Sequence, residues 1–150
     1  MSTDPSQQAF PPELQKGSIT VLRILWIAFI ATQGVFATIY SIAAPTDTAD
    51  PERAMTMLPI FLGIALFMAG ISLFGLPLYA AKAGIDYRSA CLFRFATSES
   101  IGIFGLTLGF LGLEIYPFGF FVAAALILLL QAPGNTDYQR YRQTWLDRQA

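Results

Sequence analysis

The chain contains no histidine and a single cysteine, Cys91. Without histidine it lacks the commonest metal ligand and the usual general base near neutral pH, so zinc sites and Ser-His-Asp triads are not expected. A lone thiol cannot close an internal disulfide. Charge is scarce as well: 13% of the residues are charged, against about a quarter in an ordinary soluble domain. The net charge is −1, and no cluster of Lys and Arg is dense enough to bind nucleic acid. Paired acids, a nucleophile beside a base and a phosphate-cradling glycine loop are all missing, so neither an enzyme nor a bound cofactor is expected.

What the chain does have is long apolar runs; 55% of its 150 residues are hydrophobic. Crossing about 30 Å of hydrocarbon at 1.5 Å per residue takes about 20 apolar helical residues. Four segments meet that requirement: Ile19–Ala44, Met57–Ala80 with Pro59 near its start, Ala90–Leu113, and a last one from Ile115 or Pro117 to Gln131. The first is too long and too far from a basic start to be a cleavable signal core. A re-entrant hairpin in place of spans three and four is the alternative, opposed by the unbroken apolar run Phe120 to Leu130. The expected fold class is thus all-α, a four-transmembrane-helix bundle. Residues 1–17, polar and broken by Pro5, Pro11 and Pro12, read as a disordered tail.

Orientation follows from the basic residues, which are retained on the cytoplasmic side. Of the nine Lys and Arg residues, only Arg53 lies in the loop between spans one and two, beside Asp47, Asp50 and Glu52. The loop between three and four holds Glu114 alone. Lys16, Arg23, Lys82, Arg88, Arg94, Arg140, Arg142 and Arg148 all fall on the other side. Both termini are therefore expected in the cytoplasm, with the chain in a bacterial inner membrane. In residues 133–150, Tyr138, Tyr141 and Trp145 would form one stripe of a helix and anchor it at headgroup level; an unstructured polar tail is the alternative.

The third span carries the residues of interest. At 100° per residue Ser98, Gly102, Gly105, Gly109 and Gly112 fall within about 80° of each other, a smooth stripe for close helix packing. Glu99 sits on the shoulder of that stripe, about two turns into the span, where an acid costs several kcal/mol unless it is neutral, paired or facing water. Arg94, five residues earlier, points elsewhere on the helix and is expected to snorkel to the cytoplasm. Gln33 of the first span, aligned by depth, falls opposite Glu99, with Phe29 opposite Phe95. A Gln amide donating to a carboxyl would satisfy both groups within lipid.

Ser98-Glu99-Ser100-Ile101-Gly102-Ile103-Phe104-Gly105-Leu106, with the basic loop before it, resembles the second helix of the proteolipid c subunit of rotary ATP synthases and ATPases. That family uses its membrane Glu to carry a proton or sodium ion, and its sodium-binding members add a Gln and a hydroxyl. The resemblance implies Glu99 as the carrier, with Gln33 and Ser100 as co-ligands. The likeness ends outside this span: the second span has only Gly63, Gly70 and Gly75, where a c subunit has closely repeated glycines, and four-helix members place the acid in their last helix. Two functions follow. The chain is a structural or assembly subunit of a membrane complex, a homo-oligomer or one joined to other membrane subunits, or it handles protons or sodium through Glu99. In both its solvent is the lipid bilayer.

Overall fold

The computed structural model describes residues 16–43 and 50–147, with the backbone alone at residues 16–18, 145 and 146. The described residues form five helices: α1 Lys16–Ala43, α2 Pro51–Ala83, α3 Tyr87–Phe110, α4 Tyr116–Leu130 and α5 Asn135–Leu146. The architecture is all-α. The tail expected over residues 1–17 lies outside the described residues, except that Lys16 and Gly17 already belong to α1.

Each start has a local cause. Asp50 accepts the N–H of Arg53 (3.0 Å) and Pro51 occupies the first turn, so α2 begins before its apolar run and Pro59 is interior to it. Asp86 caps α3 by accepting from the Ser89 N–H (2.9 Å). Between them α2 stops at Gly84, whose φ of 70° is the left-handed turn that glycine makes at no steric cost. The helix α2 is also interrupted: Ile71–Gly75 forms a π turn directly before Pro77. A proline ring crowds the carbonyl four residues back, and the wider turn relieves that contact.

The helices alternate in direction. Helix α1 runs parallel to α3, with Phe29 on Phe95 (ring centroids 5.7 Å), Gln33 over Gly102 and Tyr40 over Gly109. Helix α2 is antiparallel to α3, pairing Phe61 with Phe104 at one end and Ser72 with Ser98 at the other. Helix α4 is antiparallel to both, with Phe121 near Phe36 and the Trp26 indole donating to the Leu128 carbonyl (2.6 Å). One end of the bundle thus gathers Arg23, Lys82, Arg88 and Arg94, and the other Asp50, Glu52 and Glu114.

Two helices, Ile19–Ala43 and Pro51–Ala83, are by themselves long and apolar enough to cross a membrane; Tyr116–Leu130 joins them if it and the following helix, bent by 74°, are taken as one span. Large apolar side chains stand outward, Ile42 81% exposed, Phe74 71% and Leu130 74%, where a soluble protein would place polar groups. The chain is membrane-embedded.

Helix α3 is central, and its glycines set how closely the others approach. A Cβ on Gly105 would stand 2.6 Å from the Phe120 Cβ and 2.9 Å from the Pro117 carbonyl; one on Gly109 would stand 2.6 Å from the Tyr40 ring. Ser98, Gly102, Gly105 and Gly109 are all buried. Gly112 is not part of that stripe: α3 ends at Phe110, and Gly112 takes a φ of 110° in the turn that leads to α4. A left-handed residue cannot continue a helix, so its periodicity with the other glycines has no helical face to act on. Gly105→Ala should destabilise the protein by about 1–3 kcal/mol, because backbone and a Cβ must give way, whereas Gly119→Ala, with open space around it, should be neutral. Thermal unfolding in detergent distinguishes them; equal shifts would show that α3 is not held by close backbone approach.

Candidate functional site

Buried polar groups collect at the basic end of the bundle. The π turn carries Ser72 toward α3, where its hydroxyl meets Ser98 Oγ (2.9 Å) and the Arg94 carbonyl (2.9 Å). Ser98 Oγ also donates to that carbonyl (2.9 Å). Gln131, at the end of α4, donates from Nε2 to Ser72 Oγ (2.6 Å) and Ser98 Oγ (3.0 Å). Both amide protons and both hydroxyl protons are used, which locks α2, α3 and α4 together; only Gln131 Oε1 has no partner. All three side chains are almost fully buried.

One turn nearer the start of α3, Arg94 is 8% exposed. It does not snorkel: its Nη1 donates to Asp137 Oδ2 on α5 (3.2 Å), and the Tyr87 hydroxyl donates to the same oxygen (2.9 Å). A carboxylate delivered by α5 holds the guanidinium in the protein, so water is not needed to solvate it. The Arg94 Nε is buried without a partner. The aromatic stripe of α5 likewise turns inward. Tyr141 packs on Tyr87 (5.5 Å) and donates to the Ile85 carbonyl, and Tyr138 meets Tyr87 at 5.4 Å. Burial, with smaller effects from Asp86 and Cys91, pushes the Tyr141 phenol up to about 12, so it remains a donor at any physiological pH. The Trp145 side chain lies outside the described residues.

Glu99, Gln33 and Ser100 lie further along α3 and its neighbour. Glu99 is partly buried and makes no hydrogen bond or ion pair with a described residue. Gln33 is 3% exposed, its amide oxygen lies against Gly102, and neither Oε1 nor Nε2 has a partner. Ser100 Oγ donates to the Ala96 carbonyl of its own helix (3.0 Å). The three are near in depth, since Gly102 follows Glu99 by one turn, but no hydrogen bond joins them.

No known protein family, curated protein or solved structure matches this chain. The site must therefore be read from its own chemistry. Two unlike sets of groups emerge: a satisfied, rigid set at Ser72, Ser98 and Gln131, and an unsatisfied set at Glu99 and Gln33. Among the described residues no three His, Cys, Asp or Glu side chains come close enough to hold a metal. Sequence reasoning missed Ser72, Gln131 and the Arg94–Asp137 pair. A serine inside the second apolar run and a glutamine at the end of the last were the available signal, but their meeting depends on the π turn and on the length of α4.

The Arg94–Asp137 contact gives a direct test. With Asp137 39% exposed, its loss should cost on the order of 1–2 kcal/mol, and much of that should fall on the docking of α5. Asp137→Asn should therefore speed tryptic cleavage after Arg140 and Arg142 several-fold in the detergent-solubilised protein. An unchanged rate would mean that the tyrosine packing alone holds α5.

Proposed function

We propose that this chain crosses the bilayer four times, with both termini cytoplasmic, and serves as an assembly subunit of a membrane complex. Alternating helix direction supports the four crossings. If α1 and α2 cross, α3 at 24 residues is about 36 Å long and can follow, and α4 returns antiparallel along it. Gathering most of the basic residues at one end, with Arg53 alone among Asp50, Glu52 and Glu114 at the other, supports the orientation. A reporter active only outside the cytoplasm should be silent when fused after Ala150 and active when inserted near Asp50; the opposite pattern would reverse the orientation.

The assembly role rests on Glu99. A carboxyl in hydrocarbon with no partner among the described residues needs a proton or a partner from elsewhere. A donor on a second copy of this chain, or on another membrane subunit, would supply it, and the stripe beside it already shows that α3 tolerates close helix approach. Gln33 favours a second reading. Its unpartnered carbonyl and amide, buried one turn from Glu99, are what a proton- or sodium-handling site of the c-subunit kind would use.

Carbodiimide labelling separates the two. If Glu99 only joins subunits, Glu99→Gln should keep the fold while weakening association in cross-linking, and the native carboxyl should resist the reagent in the complex. If it handles ions, it should label at low pH, more slowly as pH rises or sodium is added, with Glu99→Gln abolishing both labelling and any dye-detected flux in liposomes. Full association and absent labelling in Glu99→Gln, with no flux in either protein, would remove the assembly role from Glu99.

A further inference from the structure

A cavity of about 480 Å³ opens beside the Arg94–Asp137 pair, at the basic end of the bundle. It belongs to neither Glu99 nor Gln33. Its polar side is formed by Arg94, Asp137, Arg140 and Thr144. Two guanidinium groups against one carboxylate leave an excess of one positive charge there. The charges differ in what they already do. Arg94 is more than nine-tenths buried and keeps one N–H, at Nε, without an acceptor. Arg140 is exposed and makes no ion pair with the described residues.

The other side of the cavity is hydrocarbon: Phe74 and Leu78 of α2 and Leu130 of α4 line it, and these same side chains are 71%, 55% and 74% exposed. Such exposure puts them on the lipid-facing surface, so the cavity joins the bilayer laterally. A basic pocket opening sideways into acyl chains at headgroup depth fits one occupant better than any small soluble anion. The geometry points to a binding site for an anionic phospholipid, with the phosphate diester on Arg94 and Arg140 and an acyl chain along Phe74, Leu78 and Leu130.

The full chain in non-ionic detergent, titrated with phosphatidylglycerol and with phosphatidylcholine and examined by native mass spectrometry, tests this. The expected result is one phosphatidylglycerol retained per chain, with phosphatidylcholine retained much more weakly. Arg140→Gln, an exposed position whose change leaves the fold intact, should weaken retention about five-fold, as expected for one basic residue at a membrane surface. Leu78→Gln should weaken it through the acyl wall, and Arg94→Lys should retain more lipid than Arg94→Gln. Equal retention of the two lipids, or no effect of Arg140→Gln, would overturn the site. Displacement of the lipid by an equal concentration of inorganic phosphate would also overturn it, because the acyl wall would then contribute nothing.

Discussion

Because Gly105 and Gly109 carry no side chains, the Pro117 carbonyl, the Phe120 Cβ and the Tyr40 ring come closer to α3 than any other residue would allow. Lipid gives helices no hydrophobic reason to associate, so contact at this range is how van der Waals attraction can hold them. The rest of the bundle depends on it. Tyr40 over Gly109 also brings its hydroxyl to the Leu113 and Glu114 carbonyls (2.8 and 3.1 Å), which closes the turn between α3 and α4. That turn in turn fixes α4 against the same face of α3, and α1 packs into the angle between them.

With helices held so closely, polar side chains fall into two regimes. Hydroxyls on outward faces return to their own backbone: Thr32 to Ala28, Thr38 to Gly34, Thr97 to Phe93 and Thr107 to Ile103, each four residues back. That arrangement satisfies the group where no water is at hand. Hydroxyls on inward faces have other choices, and Ser72 and Ser98 use theirs to join three helices through Gln131. Glu99 and Gln33 belong to neither regime.

The basic end of the bundle is organised by a helix that follows the bent end of α4. Helix α5 bends 74° from α4 and returns Asp137 to Arg94 and Tyr141 to the Ile85 carbonyl. It thereby converts what would be a snorkelling arginine into a buried one, and leaves beside it a cavity that is basic on one side and apolar on the other. Arg94 and Arg140, which line this cavity, belong to the basic end of the bundle.

Composition and periodicity alone determine that the chain is helical and made for lipid, because apolar runs long enough to cross a bilayer have no other stable form. The same periodicity put Ser98, Gly102, Gly105 and Gly109 on one face, whereas the Gln33–Glu99 hydrogen bond expected from their common depth is not made. Tertiary structure decided the rest. Periodicity cannot see where a helix stops, so Gly112 was grouped with a face that ends at Phe110. Neither could it foresee that the π turn before Pro77 rotates Ser72 inward, or that Asp137, distant in sequence, reaches Arg94. Pairings of that kind depend on chain direction and on how helices bend, and a single residue's type does not encode either.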